Sequence, residues 1–277
     1  MDTPNIHRFR KTIEVPESDI NLLEAALVIA GTEYPELDVD TYRSRLERWA
    51  GELRDRITED ASAEQRLRAL NHYLFGELGF SGNMDDYYDP RNSYLNEVLD
   101  RKLGIPITLS LVYMELGQRI GLPLEGVSFP GHFLVKLPVQ GGAVVLDPFN
   151  GGISLGEEDL YELLERMFNT EVGEIAPLLT TASKRDILVR MLRNLKGIHQ
   201  NADRHEKALQ VVNMILTVDP SLEEEHRDRG LLLLQLECAQ AAAKDLRHYL
   251  QARPDAEDAD NIRELLIDIQ NRDTRLH

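Results

Sequence analysis

The feature that most constrains the fold is an apolar segment, Ile107–Ile120, bounded by Pro106 and Gly121. The segment contains no charged residue before Glu115, and proline suits the first position of a helix. A helix that is apolar on every side needs to be buried, and a glycine is typical of a helix end. The pattern therefore predicts a central, buried helix around which a domain packs.

Three strand-like segments follow this helix, at Leu124–Ser128, His132–Leu137 and Ala143–Leu146. Residues 138–142 contain proline and glycine, so we expect a turn there and an antiparallel hairpin between the last two strands. Residues 147–152 are expected to end the sheet. An acidic helix is expected at Glu157–Phe168.

The first hundred residues have helical periodicity and little strand character. We expect helices at 19–30, with Ser18 as its N-cap, at 40–57, at 63–78 and at 92–101, with an exposed loop at 80–90. Together with the hairpin, these patterns predict an α+β fold. Its helical N-terminal region precedes a core with a small antiparallel sheet.

The last third of the chain has an internal repeat. Ala208 and Pro220 recur 34 residues later as Ala242 and Pro254, and this spacing is the tetratricopeptide period. Gly230 supplies a small residue for close packing between helices, and residues 259–269 would cap the stack. The sequence thus favours two domains, residues 1–182 and residues 183–277, the second made of all-α tetratricopeptide-like repeats. An unrelated helical bundle is the alternative.

The charge is distributed unevenly between these regions. The whole chain has a formal net charge of −17, of which residues 1–182 carry −15. Such a surface repels phosphate backbones, so no direct contact with nucleic acid is expected. It would attract a basic partner protein, although solubility alone also explains an acidic surface.

Several classes of protein are disfavoured by what the sequence lacks. Cys238 is the single cysteine, which excludes an intrachain disulfide and a multi-cysteine metal site. The histidines have no metal-binding spacing, and the glycine pairs match no nucleotide-binding motif, so no metal or cofactor is expected. No apolar run is long enough for a membrane span and the start has no signal-peptide core, so we expect a cytoplasmic protein.

Two residues at the ends of the predicted hairpin can act together. His132 begins one strand and Asp147 follows the next, and neighbouring antiparallel strands lie about 5 Å apart. A carboxylate beside an imidazole fixes its tautomer and stabilises its charged form. A helix N-terminus that presents a nucleophile to such a pair is the papain-like arrangement, although a histidine in a strand can equally be structural.

Four motifs carry a resemblance to a known family. They are RNSYLNEVLD at 91–100, LGIPITLSLVY at 103–113, GLPLEGVSFPGHFLV at 121–135 and LDPFNGG at 146–152. These stretches resemble the SirB subfamily of bacterial transglutaminase-like proteins, which also carries a tetratricopeptide-like tail. The resemblance implies a transglutaminase-like core in which His132 and Asp147 match the family histidine and aspartate.

The family's nucleophilic cysteine has no counterpart here. The resemblance places it at Pro106 or Ile107, and neither residue is a nucleophile. Cys238 lies in the repeats, where we expect a small buried apolar residue. Thr108 or Ser110 could substitute as a hydroxyl nucleophile, although each could instead serve helix capping or packing.

The sequence therefore favours a non-catalytic interaction protein that holds a protein or peptide partner and has a possible regulatory role. Asn96 and Ser110 would lie in its degenerate cleft, and Asn96 could supply an oxyanion-type amide. The alternative is a thiol-free hydrolase or amide-processing enzyme that uses Thr108 or Ser110 with His132 and Asp147. The resemblance also suggests a regulator of transcription, against which the acidic surface argues.

Overall fold

In a computed structural model of the protein, residues 4–168 and 173–276 are described. The chain forms two compact units, Met1–Met191 and Leu192–His277. Within the described residues, no helix is both long enough and apolar enough to cross a membrane. The fold class is α+β, as predicted, with a small sheet confined to the first unit.

Four helices open the first unit: α1 Pro4–Ile13, α2 Leu22–Ala30, α3 Val39–Arg54 and α4 Ala63–Asn71. A π-helical turn, His72–Glu77, extends α4. The prediction that Ser18 caps α2 is wrong, because Asn21 accepts the hydrogen bond from the N–H of Glu24. Ser18 instead lies in a separate 3-10 turn and donates to its neighbour Asp19.

The predicted central helix is present as α6, and a shorter helix and two short strands lead into it. These elements are β1 Ser81–Gly82, α5 Leu95–Arg101, β2 Leu103–Gly104 and α6 Pro106–Arg119. Strands β1 and β2 pair in parallel. Every residue of α6 from Pro106 to Met114 is buried, because helices and sheet pack around it. Helix α5 begins at Leu95 rather than at residue 92, because Pro90–Asn92 forms a separate 3-10 turn.

The loop between β1 and α5 is only partly exposed, contrary to the prediction for residues 80–90. Asn83 and Asp89 are buried within it, 8% and 7% exposed. Asp89 accepts hydrogen bonds from the backbone N–H and the guanidinium of Arg91, and Arg101 lies 3.3 Å from the same carboxylate. Asn83 and Asp89 therefore help to build the loop, whereas residues 84–88 between them are exposed as predicted.

Four antiparallel strands form the sheet in the order β3-β4-β5-β6: β3 Glu125–Val127, β4 Leu134–Val139, β5 Gly142–Asp147 and β6 Ile153–Leu155. The predicted hairpin is confirmed in β4 and β5. One face of the sheet contributes Val135 and Leu146 to the core around α6. The other face contributes Leu134 and Val145 to a second apolar cluster with α7, Glu157–Phe168, which is the predicted acidic helix.

Strand β6 contradicts the expectation that the sheet ends at residues 147–152. Gly151 and Gly152 have φ angles of 76° and 74°, which glycine adopts without the steric cost of a side chain. These two residues reverse the chain, so that Ile153 pairs with Asp147. The reversal pairs the end of β5 with β6 at Asp147, which is 2% exposed.

Five helices complete the chain: α8 Lys184–Asn201, α9 His205–Val218, α10 Glu223–Gln235, α11 Ala239–Ala252 and α12 Ala259–Leu276. Helices α9 and α11 begin at residues 205 and 239 and end at 218 and 252, which confirms the 34-residue period. Ala208 and Ala242 are both fully buried. A Cβ atom on Gly230 would lie 2.7 Å from the Leu246 side chain, so close packing requires the predicted small residue there.

The division between the two units falls inside α8. Ile187 and Met191, in the first two turns, belong to the apolar core around α6. The rest of α8 belongs to the second unit, where Lys196 pairs with Glu225 of α10. One helix therefore contributes packing residues to each unit.

Candidate functional site

His132 and Asp147 are in direct contact. The register of β4 and β5 pairs Val135 with Leu146, which places Asp147 at the strand end next to the segment carrying His132. The Nε2 atom of His132 lies 3.0 Å from each carboxylate oxygen of Asp147. Both residues are buried, at 8% and 2% exposure. The hairpin thus brings together the two side chains that the sequence singled out.

The carboxylate of Asp147 is held by the turn that follows it. Asp147 caps the 3-10 turn Pro148–Asn150 and accepts hydrogen bonds from the backbone N–H of Phe149 at 3.0 Å and from Asn150 Nδ2 at 2.7 Å. Burial opposes ionisation of Asp147, but its hydrogen bonds with His132 and Asn150 outweigh burial and place the pKa of Asp147 below its ordinary value. The carboxylate is therefore a charged, fixed acceptor.

This carboxylate determines which nitrogen of the His132 imidazole carries the proton. A carboxylate only accepts hydrogen bonds, so Nε2 must donate, and the neutral ring then has an unprotonated Nδ1. Among the described residues, Nδ1 has no hydrogen-bond partner. The ring of Phe149 lies edge-on to the imidazole, with centroids 5.9 Å apart. The arrangement is an oriented base with its reactive nitrogen free.

Arg190 of α8 supports the segment that carries His132, and the sequence reasoning missed it. Its guanidinium donates to the carbonyl oxygen of His132 at 2.6 Å, to that of Phe129 at 2.9 Å and to the Ser128 hydroxyl at 2.7 Å. Its acceptors lie 58 to 62 residues earlier in the chain, so no local sequence pattern indicates this role.

The N-terminus of α6 presents no nucleophile. Pro106 is the first helical residue, and Ile107 follows it, both buried. Residues four apart lie on one helix face, so Ser110 shares the face of Pro106. The Ser110 hydroxyl reaches the carbonyl oxygen of Phe133 at 3.5 Å, which shows that this face meets the start of β4, next to His132.

Thr108 caps the N-terminus of α6. Its hydroxyl oxygen accepts from the backbone N–H of Ile105 at 3.1 Å, and the hydroxyl lies 2.8 Å from the carbonyl oxygen of Asn92, to which it donates. Asn96 lies in the first turn of α5 at 4% exposure, and its Oδ1 atom has no hydrogen-bond partner within the described part of the chain. Among the described residues, neither Thr108 nor Asn96 hydrogen-bonds to His132 or Asp147.

Cys238 lies in the second unit and is exposed, which contradicts the prediction of a buried apolar residue. Helix α10 ends at Gln235 and α11 begins at Ala239, so Cys238 falls in the turn between them, as the residue before α11. The positive φ of Glu237, 58°, turns the chain there. Across residues 4–168 and 173–276, no three His, Cys, Asp or Glu side chains are grouped as a metal site requires.

Comparison with known proteins identifies the family. A model of the transglutaminase-like superfamily matches residues 40–193, which is more than half of the chain. The chain belongs to this superfamily. A tetratricopeptide-repeat model matches residues 195–267, the region of the observed repeat helices.

Individual relatives extend the similarity over almost the whole chain. The protein is 43% identical over 266 residues to a UPF0162 protein of Xylella fastidiosa, with 95% of each chain covered. It is 31% identical over 243 residues to a UPF0162 protein of Vibrio cholerae, covering 85% of this chain and 87% of the relative. Protein SirB1 of Salmonella typhimurium is 28% identical over 258 residues, covering 90% and 94%. The resemblance to the SirB subfamily is thereby confirmed.

Proposed function

We propose that the protein is a non-catalytic interaction protein that holds a peptide or a partner protein. The observation that carries this proposal is the start of α6, where Pro106 and Ile107 occupy the expected position of the nucleophile. Neither side chain has a lone pair that can attack a carbonyl carbon. The scaffold then has a base, His132, and an orienting carboxylate, Asp147, without the group that such a pair activates.

The hydroxyl of Thr108 supports the same proposal. To act as a nucleophile it must give its proton to His132, yet it directs that proton to the Asn92 carbonyl oxygen. It also accepts the otherwise unpaired N–H of Ile105. Turning the hydroxyl toward His132 would break both hydrogen bonds, and losing a cap of this kind costs about 1 kcal/mol.

Ser110 is the basis of the second candidate function, a thiol-free hydrolase or amide-processing enzyme. Its hydrogen bond to the Phe133 carbonyl is long, at 3.5 Å, so its hydroxyl is only weakly held. It lies on the helix face that meets the strand following His132, and the structure gives the Nδ1 atom of His132 no hydrogen-bond partner among the described residues. A hydroxyl is a much weaker nucleophile than a thiolate and needs a well-aligned base, which makes this the lesser candidate.

We propose a class of partner for each of the two units in turn. Tetratricopeptide repeats generally mediate contacts between proteins, so the concave face of the second unit would hold a protein or peptide. The net charge of −15 on residues 1–182 favours a basic partner for the first unit and disfavours direct contact with nucleic acid. We place this activity, including any regulatory role, in the cytoplasm.

Hydrolysis and partner capture distinguish the two candidates. The purified full chain would be assayed against peptide anilides and carboxylic esters beside the variants His132→Ala and Ser110→Ala. His72→Ala is the matched control, because His72 lies in the same unit with a side chain 76% exposed. We expect no hydrolysis that depends on His132, together with retention of a defined partner on the immobilised wild-type protein. Hydrolysis that is lost in His132→Ala and kept in His72→Ala would overturn the interaction proposal.

A further inference from the structure

Exposed apolar side chains concentrate in one short loop of the first unit. In the described part of the chain, six large apolar side chains are exposed, and three of them lie within residues 84–88. Met84 and Tyr88 are each 74% exposed, and Tyr87 is 39% exposed. Clustered exposed apolar residues mark interaction sites more often than scattered ones do. We refer to residues 84–88 as the 84–88 loop.

The 84–88 loop is held in one conformation by buried amides. Asn92, fully buried, donates from Nδ2 to the carbonyl oxygen of Asp86 at 2.7 Å and accepts from Asn83 Nδ2 at 3.0 Å. Asn83 in turn accepts from the backbone N–H of Asp86 at 3.1 Å. A loop fixed in this way loses little conformational entropy when a partner binds. The exposed side chains are therefore presented by a rigid support.

The loop also borders the candidate site. The Tyr87 ring packs edge-on against Phe149, with centroids 6.1 Å apart, and Phe149 packs against His132 at 5.9 Å. A partner seated on the 84–88 loop would thus lie near His132, with Phe149 between the two. The inference rests in this respect on the proposed function, since it locates where the partner of the first unit docks.

Charge indicates the chemistry of that partner. Asp85 and Asp86 are exposed, and among the described residues their carboxylates have no cationic partner. The exposed Tyr88 ring offers a face on which a Lys or Arg side chain can stack. Unpaired carboxylates beside an exposed aromatic ring match a cationic segment and repel an acidic one.

We propose that the 84–88 loop is the docking element for a cationic segment of a partner protein, one that also carries an aliphatic anchor. The anchor packs against Met84 and Tyr88, while Lys or Arg side chains pair with Asp85 and Asp86. Apolar contact supplies most of the affinity, and the charges supply specificity and the rate of association.

Peptide binding to the full chain tests this assignment. The probes are three fluorescein-labelled 12-residue peptides in a Ser/Gly background: one with four Lys and two Leu, one with Glu in place of Lys, and one with Ser in place of Leu. Fluorescence polarisation at low and at physiological salt gives each Kd. The loop variants are Asp85→Asn/Asp86→Asn and Met84→Ala/Tyr88→Ala.

Each loop variant has a matched control. Glu59→Gln/Asp60→Asn removes the same two charges from another exposed loop of the unit. Ile267→Ala removes an exposed apolar side chain, 58% exposed, from the repeats. Circular dichroism and thermal unfolding confirm that every variant is folded before its Kd is compared.

We expect the Lys/Leu peptide to bind most tightly of the three. The charge variant should weaken it about five- to tenfold at low salt and reduce the salt dependence, and the apolar variant should weaken it about tenfold. The controls should stay within about twofold. The docking assignment is overturned by equal binding of the Lys and Glu peptides, by equal losses in loop variants and controls, or by no binding of the Lys/Leu peptide. Hydrolysis that depends on His132 would instead overturn the interaction proposal and leave the docking loop in place as a substrate contact.

Discussion

Buried carboxylates occur in both units of the chain, and they differ in whether an arginine or lysine neutralises them. In the repeat unit, Glu225 is 1% exposed and pairs with Arg193 at 2.8 Å and Lys196 at 2.6 Å. Asp245, 5% exposed, receives two hydrogen bonds of 2.7 Å from Arg229. These carboxylates are neutralised by permanent cations and join helices, although Asp245 also lies 3.4 Å from Nδ1 of His226. Asp89 of the first unit is neutralised in the same way, by Arg91 and Arg101.

In the transglutaminase-like unit, the buried carboxylate of Asp147 faces an imidazole instead. Its hydrogen bonds fix the orientation of His132 and leave one ring nitrogen without a partner among the described residues. An arginine paired with this carboxylate could neither accept nor release a proton. The carboxylates of Glu225 and Asp245 thus stabilise the fold, whereas the carboxylate of Asp147 orients a base.

The largest effect is expected when the buried carboxylate of Glu225 in the repeat unit is removed. Glu225→Gln leaves the Arg193 and Lys196 charges without their buried partner, so the free energy of unfolding should fall by about 3 kcal/mol. Chemical denaturation measures this free energy of unfolding. The side chain of Glu224 is 44% exposed. The control Glu224→Gln should therefore change the free energy of unfolding by less than about 1 kcal/mol. Equal effects of the two substitutions would show that the buried pair is not structural.

Arg190→Leu should have the next largest effect. Three acceptors in the segment from Ser128 to His132 lose their donor, and the free energy of unfolding should fall by about 2 kcal/mol. Arg166→Leu removes an arginine that is 71% exposed and should cost less than about 0.5 kcal/mol. A loss for Arg190→Leu no larger than that of its control would contradict a supporting role for this residue.

Asp147→Asn should destabilise the protein by about 1–2 kcal/mol near pH 7, because an amide cannot accept all the hydrogen bonds that the carboxylate accepts. The pKa of Asp147 is lowered in the folded protein, so its stabilisation is complete above about pH 4. As the pH falls through the folded-state pKa, that stabilisation is lost and wild type approaches the variant. Denaturation curves between pH 2.5 and 7 measure the difference, and a gap that stays constant across this range would rule out an ionised Asp147 as its source.

The smallest effects distinguish the two hydroxyls of α6. Thr108→Val loses a cap that pairs Ile105 and Asn92, and should cost about 1 kcal/mol. Ser110→Ala loses only the 3.5 Å contact with Phe133 and should change stability by less than about 0.5 kcal/mol. Thermal unfolding of both variants provides the comparison. The reverse order would mean that Ser110, and not Thr108, anchors the helix.

The residues that the sequence placed correctly have strong local signals. The buried helix α6 follows from an uninterrupted apolar run between a proline and a glycine, and the 34-residue period follows from repeated small residues and prolines. The contact between His132 and Asp147 follows from one short hairpin. In each case a pattern within a few tens of residues determines the structure.

The features that the sequence did not predict depend on contacts between distant segments or on very short elements. Strand β6 has three residues, too few for a periodic pattern. Arg190 reaches the His132 segment across 58 residues of chain, and no local pattern specifies its target. Cys238 is exposed because a turn separates α10 from α11. The exposure of residues 84–88 agrees with the prediction, whereas the contacts of buried Asn83 and Asn92 that hold this loop follow no periodic pattern.

We propose that His132 and Asp147 form an oriented base beside the N-terminus of α6, whose first two residues, Pro106 and Ile107, carry no nucleophile. A cysteine placed at that terminus tests it most directly. The measurement is the pH dependence of iodoacetamide alkylation of Pro106→Cys in a Cys238→Ser background, with and without His132→Ala. We expect the introduced thiol to be alkylated rapidly near pH 6, where an ordinary thiol with a pKa of about 8.5 reacts slowly. This rapid reaction should be lost when His132→Ala is added. Alkylation that follows an ordinary thiol and is indifferent to His132 would contradict the claim.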